Sequence, residues 1–144
     1  MQEQNYKNHS RVVPLFHVGV SLILLACLVF SIWNAYRAYE HHSGRLVAAT
    51  LFGLCIAALL LEWYARAFAV GAQDRAIRAE ENLRHFALTG KLLDKRLTLS
   101  QVIALRFAED TEFLLLSEKA ANENMKASDI KKAIVNWRAD HHRV

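Results

Sequence analysis

Two long apolar runs in the N-terminal half of the chain limit the folds that it can adopt. They cover Val12–Trp33 and Leu46–Leu61. At ~1.5 Å of rise per residue, a helix over the first run crosses a hydrocarbon core of ~30 Å, and the second run is slightly short of this length. The first run is longer than the apolar part of a signal peptide, and no small-x-small cleavage site follows it. We therefore predict two uncleaved membrane-spanning helices.

Basic residues beside the two runs predict their orientation. On the side of the chain termini lie Lys7, Arg11, Arg66, Arg75, Arg78 and Arg84. In the segment between the runs, the only lysine or arginine residues are Arg37 and Arg45. Because lysine and arginine concentrate in cytoplasmic loops, both termini are expected in the cytoplasm and the connecting segment outside.

These features predict an all-α protein built from five segments. The expected order is a cytoplasmic segment (1–11), a first transmembrane helix (12–36), an external loop (37–45), a second transmembrane helix (46–70) and a cytoplasmic helical domain (71–144). The fold is then a transmembrane helical hairpin whose second helix extends into a small helical domain. No alternating β pattern, glycine-rich loop or internal repeat argues otherwise.

Glu62 and Arg66 interrupt the end of the second run, in the stretch LLLEWYARAFAV. They are four residues apart, so they share a helix face and can form an ion pair. One interpretation places this pair at the membrane interface, where Trp63 and Tyr64 favour the headgroup region. The other extends the span to Val70 and buries the pair as part of a proton or ion path. The interfacial interpretation is favoured because neither span contains another acid.

His17 lies in the first run, three residues after Pro14. A functional interpretation makes it a proton or metal site within the membrane. The simpler interpretation is a hydrogen bond to Ser21 or to a neighbouring helix, near the cytoplasmic end of the span. The short distance from Pro14 along the chain favours the simpler interpretation.

Ala49, Gly53 and Ala57 form a ladder of small residues along one face of the second run. Small residues let helix backbones approach closely in lipid, where apolar burial does little to hold helices together. We therefore predict that the ladder packs against another helix. The sequence leaves open whether that helix is the first span or a second copy of the chain.

Beyond Gly71 the sequence becomes charged and keeps a helical pattern. Acid-first pairs four residues apart predict that the second helix continues to about Gly90, a plausible helix end. Apolar residues recur at alternating spacings of four and three, as in a coiled coil, and form a seam made of Ala72, Ala76, Ala79, Leu83 and Phe86. Folding of the later helices onto this seam is slightly favoured over its pairing with a second copy.

Three short amphipathic helices are predicted in the remainder of the chain. Thr98 and Gln101 form a capping box that opens the first of them. Asp110 or Thr111 is expected to cap the second helix through its side-chain oxygen.

Ser128 is expected to cap the third helix, which the apolar pattern extends through Trp137. None of the three can bury its apolar stripe alone. We therefore expect them to pack together against the region Ile77–Phe86 and to form a small core.

The last stretch, IKKAIVNWRADHHRV, contains the candidate contact residues of the C-terminal half: Trp137, Arg138, Asp140 and Arg143. A core anchor is the expected role of Trp137, while the arginines are suited to binding carbonyls or a carboxylate. Asp140, His141 and His142 together raise the possibility of a metal or acid–base cluster. Adjacent positions on a helix diverge by ~100°, which instead favours an exposed tail.

The sequence contains no recognisable constellation for catalysis. A nucleophile elbow, a phosphate-binding loop, paired catalytic carboxylates and an HExxH motif are all absent from it. Cys27 and Cys55 lie in the apolar runs without further ligands at metal spacing. The net charge is only +4, with acids and bases interleaved in the second half, unlike a nucleic-acid footprint. We expect no enzyme activity, no cofactor, no metal and no nucleic-acid partner.

Several segments occur in one order along the chain: QNYKNH, the two apolar runs, QDRAIRAEE, IALRFAED and the closing IKKAIVNWRADHHRV. In this combination the chain resembles an uncharacterised family of small bacterial membrane proteins, a domain of unknown function. The resemblance covers nearly the whole chain. It implies a two-span protein of the bacterial inner (cytoplasmic) membrane with a helical C-terminal region. It supplies no activity, ligand or catalytic residue.

Three functions fit the sequence. The favoured one is a non-enzymatic structural or accessory protein of the lipid bilayer, which self-associates or joins a larger membrane complex. The second is an oligomeric proton- or ion-conducting protein that uses His17 and Glu62. The third is a membrane-tethered regulator whose basic helix Ile130–Arg138 contacts nucleic acid or acidic lipid.

Overall fold

The computed structural model describes residues 4–6, 8 and 13–140 of the chain. The chain divides into two compact units. The hairpin unit is Val12–Phe68, and the C-terminal unit combines Met1–Arg11 with Ala69–Val144. Every regular element in the described ranges is a helix, which confirms the predicted all-α class with a helical hairpin and a small helical domain.

The hairpin unit begins with a π-helical segment, Leu15–Val20, which leads into helix α1, Ser21–Glu40. Helix α2, Arg45–Thr89, starts in the same unit. The turn between α1 and α2 occupies residues 41–44, within the predicted loop 37–45. Gly44 has a φ of 71°, a left-handed conformation that glycine adopts without the steric cost of a Cβ. This glycine lets α2 start immediately after a tight turn.

The hairpin unit buries little of its apolar surface. Both helical stretches are long and apolar enough to cross a membrane, and only 6% of the most apolar window of each is buried. The most buried side chains in the unit are small: Ser31, Ala38 and Ala48. Small side chains allow two helix backbones to approach closely. Large apolar side chains such as Leu22, Leu54 and Leu61 point away from the unit and are more than half exposed.

Helix α2 ends as the sequence predicts. Its last residue is Thr89, and the Gly90 amide donates to the Phe86 carbonyl at 2.7 Å. Gly90 has a φ of 71°. A left-handed glycine after the last helical residue is a common helix end, because its amide satisfies a free carbonyl of the final turn.

Helix α3, Leu99–Leu105, opens with the predicted capping box. The Thr98 hydroxyl accepts a hydrogen bond from the Gln101 amide at 3.4 Å, and the Gln101 side-chain oxygen accepts one from the Thr98 amide at 2.7 Å. The same Gln101 side chain donates to the Met125 carbonyl at 2.8 Å. Gln101 therefore completes the capping box and also links the start of α3 to the segment before the last helix.

Helix α4, Asp110–Asn122, does not use the predicted cap. Its N-cap residue is Glu109, with no hydrogen bond from a capping side chain. The Asp110 carboxylate instead accepts from the Arg84 guanidinium of α2 at 2.7 Å. The prediction of Asp110 or Thr111 as the cap was wrong because a contact distant in sequence determines where the Asp110 side chain lies.

Helix α5, Ala127–Ala133, is shorter than predicted. Lys126, not Ser128, is its N-cap, and Ile134 already has an extended backbone. The amides of Val135 and Asn136 donate to the Glu112 carboxylate at 3.2 and 2.9 Å. These bonds replace the helical ones, so the predicted helix through Trp137 and the basic helix Ile130–Arg138 are not formed.

The core of the C-terminal unit lies between α3, α4 and α5. Phe107 and Phe113 are its largest fully buried side chains. The buried cluster also contains Leu93, Leu97, Val102, Ala104, Leu105, Ala108, Leu116, Ala120, Ile130 and Ile134. This confirms the prediction that the short helices bury their stripes against one another.

The face of α2 that supports this core is not the predicted seam. The buried residues of α2 in this unit are Ile77 and Glu81, and Arg84 beside them contacts α4. On a helix of 3.6 residues per turn, this side lies roughly opposite the seam. Leu83 and Phe86 of the seam are 67% and 51% exposed, and its alanines are exposed as well. The favoured prediction that the later helices cover the seam was therefore wrong.

The link between α2 and α3 is held by a local ion pair. The Arg96 guanidinium donates to both oxygens of Asp94, and it also reaches the Asn122 amide oxygen of α4 at 3.0 Å. Hydrogen bonds from Arg96 hold the pKa of Asp94 down at about 2. This carboxylate therefore stays charged across the physiological pH range, and the link keeps its geometry.

Candidate functional site

The hairpin unit contains a cavity between the start of its first helical stretch and the middle of α2. We call it the polar cavity. Its volume is about 440 Å³. It is lined by Phe16, His17, Ser21, Leu59, Glu62, Trp63, Arg66 and Ala67. The cavity thus brings together the three polar residues of the apolar runs that the sequence singles out as candidates, His17, Glu62 and Arg66, although His17 is distant from the other two in sequence.

A hydrogen bond between the two helices defines one wall of the polar cavity. The Ser21 hydroxyl donates to Glu62 Oε1 at 2.8 Å. The Glu62–Arg66 ion pair expected from the sequence is not among the ion pairs of the described residues, although both side chains line the same cavity. Glu62 is directed toward the first helical stretch, where Ser21 satisfies one of its oxygens.

His17 lines the same cavity with a half-buried ring. Its Nδ1 lies 2.9 Å from the Val13 carbonyl oxygen, and the ring packs edge-on against Phe16 at 5.4 Å between centroids. Its Nε2 is buried and has no hydrogen-bond partner. The Val13 amide also donates to Nδ1 at 3.1 Å, so either neutral tautomer fits the contacts of this nitrogen. In both tautomers Nε2 is a buried polar atom whose missing hydrogen bond costs about 1–3 kcal/mol.

The π-helical segment Leu15–Val20 is the part of the site that sequence reasoning missed. Both Phe16 and His17 belong to it. Wider π turns are rare and are found frequently at functional sites. A proline precedes the segment, but Pro14 at a helix start is also compatible with an ordinary α-helix, so the sequence contains no signal that separates the two.

The predicted small-residue ladder lies on the surface of the hairpin unit. Ala49, Gly53 and Ala57 are all exposed. A Cβ added to Gly53 would meet no atom within 4 Å, so the backbone there faces open space. The ladder therefore does not pack against α1, whereas Ala48, on a different face of α2, is 2% exposed.

Three of the four predicted C-terminal contact residues lie within the fold of their own unit. The Trp137 ring packs on Phe107 with 5.1 Å between centroids, and Arg138 Nη1 lies 4.0 Å from Glu81. Asp140 lies 3.4 Å from Arg106. These three residues thus make intramolecular contacts, and the fourth candidate, Arg143, lies outside the described residues together with His141 and His142.

The described residues contain no group of three or more histidine, cysteine, aspartate or glutamate side chains arranged to hold a metal ion. His42, in the turn, contacts the Tyr39 carbonyl through Nδ1 at 2.9 Å, and Arg45 lies 2.7 Å from the same nitrogen. In this turn, the polar side chains of His42 and Arg45 therefore contact groups in or beside the turn itself.

A family model covers the whole chain, residues 1–144. Its description is a family of unknown function, DUF6526. The chain belongs to this family. This confirms the membership of a family of unknown function that the sequence resemblance implied, whereas the bacterial origin and the membrane location stay predictions. Comparison with curated proteins and with solved structures finds no match.

Proposed function

We propose that the chain is a non-enzymatic integral membrane protein that self-associates and serves as a structural or accessory component of a membrane complex. The proposed location is the bacterial inner membrane, with both termini in the cytoplasm. The exposed apolar surface of α1 and of the first part of α2 supports the membrane location. A soluble protein would bury such helices, because exposed apolar area of this size is costly in water.

The observation that carries self-association is the exposed seam of α2, formed by Ala72, Ala76, Ala79, Leu83 and Phe86. The C-terminal unit covers the other side of this helix with its own core. The seam keeps coiled-coil spacing and an apolar surface without an intramolecular partner among the described residues. A second copy of the same helix has matching spacing, so it can cover the seam.

The charges beside the seam favour a parallel pair. Two copies inserted in one membrane with the same orientation have parallel α2 helices. If Ala76 and Leu83 are a positions, Arg75 is a g position and Glu80 the following e position. In a parallel pair these positions face each other across the seam, so Arg75 of each copy meets Glu80 of the other. Both residues are exposed and free to make this contact.

Disulfide cross-linking tests the self-association. In a background with Cys27→Ala and Cys55→Ala, Leu83→Cys is expected to form a dimer on mild oxidation of native membranes. Parallel copies place the two sulfurs opposite each other at an a position. The matched control is Leu115→Cys on α4, because Leu115 is 73% exposed but lies outside the seam.

A charge in the seam should weaken the association of the protein in detergent solution. The Leu83→Glu variant is expected to associate at least about tenfold more weakly than the unmodified protein, whereas Leu115→Glu leaves association unchanged.

The charge arrangement gives an independent check of the same interface. Arg75→Glu and Glu80→Arg should each reduce dimer yield through repulsion, and the double variant should recover it. Equal cross-linking at positions 83 and 115, or only monomer in native membranes, would contradict the proposal.

The polar cavity favours a second candidate function, proton or ion conduction by an oligomer. Its supporting observation is that His17 Nε2 is buried without a partner in the cavity that Glu62 also lines. Ionisable side chains inside a membrane often mark proton or ion paths. Two helices cannot enclose a pore, so this function requires several copies.

A flux measurement separates the two candidates. Under the conduction hypothesis, Glu62→Gln or His17→Ala abolishes proton flux into proteoliposomes, while Glu40→Gln at the other end of α1 leaves it intact. Flux that stays at the level of protein-free vesicles in the unmodified protein would exclude conduction and leave the structural function in place.

A further inference from the structure

The polar cavity holds two opposite charges that the protein does not pair with each other. Among the described residues, the only donor that contacts the Glu62 carboxylate is the Ser21 hydroxyl, at 2.8 Å. Arg66 lines the same cavity and has no hydrogen bond or ion pair with a described protein group. A carboxylate with spare acceptor capacity and a guanidinium with five donors are therefore both available to a third molecule.

This pair of charges selects the chemistry of that molecule. The carboxylate requires a group that donates hydrogen bonds and carries positive charge, and the guanidinium requires an anion, for which phosphate is well suited. A ligand that carries both groups leaves the site with no excess charge. A purely anionic ligand would leave Glu62 unsatisfied and would be repelled by it.

Apart from His17 and Ser21, the rest of the cavity is apolar and aromatic. Phe16, Leu59 and Trp63 contribute its walls. Its volume of about 440 Å³ exceeds the requirement of a small ion. Tryptophan beside a charged pair is typical of the headgroup level of a membrane. An amphipathic molecule with a zwitterionic head and apolar chains suits these walls.

We propose that the polar cavity binds the headgroup of an aminophospholipid of the phosphatidylethanolamine type. The primary ammonium donates to Glu62, and the phosphate accepts from Arg66. The acyl chains extend along the exposed apolar surface of the hairpin unit. The proposal rests on the membrane location proposed above but not on self-association, because all residues of the cavity come from one chain.

Lipid exchange in native mass spectrometry tests this site with the full-length protein, delipidated in detergent. The probes are phosphatidylethanolamine, phosphatidylcholine and phosphatidylglycerol with the same acyl chains. We expect phosphatidylethanolamine to bind about tenfold more tightly than phosphatidylcholine, whose quaternary ammonium has no N–H to donate to Glu62. Phosphatidylglycerol is expected to bind more weakly still, because it brings no cation to the carboxylate.

Substitutions of Glu62 and Arg66 test the two proposed headgroup contacts separately. Glu62→Gln is expected to remove most of the preference for phosphatidylethanolamine over phosphatidylcholine. Arg66→Gln should weaken both lipids, and Arg66→Lys should retain them, because lysine keeps the charge that the phosphate requires. Arg37→Gln is the matched control, since Arg37 lies over the Trp33 ring, away from the cavity.

The outcome is separable from that of the self-association proposal. The Leu83→Glu variant should keep the lipid preference even where it no longer dimerises. Equal binding of the three lipids, or a preference for phosphatidylethanolamine that Glu62→Gln leaves unchanged, would overturn the assignment. A preference for phosphatidylglycerol would show that Arg66 binds anionic lipid and that Glu62 takes no part.

Discussion

Phe113→Ala is expected to lower the free energy of unfolding of the C-terminal unit by ~3–5 kcal/mol, the typical cost of truncating a fully buried phenylalanine. Phe113 is completely buried in the core. Its ring packs against the His85 ring with 6.1 Å between centroids, and the Arg84 guanidinium lies over it at 4.2 Å. Truncation therefore leaves a cavity and also removes the surface that joins α4 to α2.

Native-state hydrogen exchange of the full-length protein in detergent measures this effect, because it reports on the amides of the C-terminal unit separately. Amides of α3 and α4 should lose protection together, while amides of the hairpin unit should keep theirs. The control is Leu115→Ala on the same helix, since Leu115 is 73% exposed. A change within about 0.5 kcal/mol is expected there. Equal effects of the two variants would show that Phe113 is not a core residue.

Arg84→Met is expected to destabilise the C-terminal unit by a similar ~3–5 kcal/mol, because it removes the closest partner of a buried carboxylate and leaves only Arg138, at 4.0 Å, beside it. Arg84 Nη1 lies 3.0 Å from Glu81, whose side chain is only 7% exposed. The same guanidinium donates to the Ala108 carbonyl at 2.7 Å and to Asp110 at 2.7 Å. One side chain thus connects α2 to both the segment after α3 and the start of α4.

A double variant tests the contribution of the charge. Adding Glu81→Gln to Arg84→Met removes the carboxylate that lost its closest partner, so the double variant should recover a large part of the lost stability. Arg96→Met is the matched control, because the Arg96 side chain is 61% exposed and exposed ion pairs contribute ~0–1 kcal/mol. No recovery in the double variant would mean that Arg84 acts through its contacts with Phe113, Ala108 and Asp110 and not through the charge of Glu81.

Local signals in the sequence predicted the elements that depend on neighbouring residues. The Thr98–Gln101 capping box and the helix end at Gly90 involve contacts within one turn, and both are found. The cap of α4 and the length of α5 were predicted wrongly, because distant groups occupy the side chain or the amides concerned. Asp110 binds Arg84, and Glu112 accepts the amides that would have extended α5.

The sequence predicted which residues belong to the candidate site but not how they are arranged. His17, Glu62 and Arg66 stand out in the sequence because polar side chains are costly in apolar runs. The spacing of Glu62 and Arg66 predicted an ion pair within one helix. The structure instead joins Glu62 to Ser21, because the other helix of the hairpin offers a hydroxyl at hydrogen-bond distance.

By itself, the sequence determined the helical class, the two apolar helices, the extension of α2 to Gly90 and the membership of its family, since periodicity, composition and local caps are properties of adjacent residues. Only the tertiary structure decided which face of α2 carries the core. Both faces offer apolar residues, and the choice depends on contacts such as Arg84 with Asp110, which are distant in sequence. That choice leaves the seam exposed, because the seam lies roughly on the opposite face of α2.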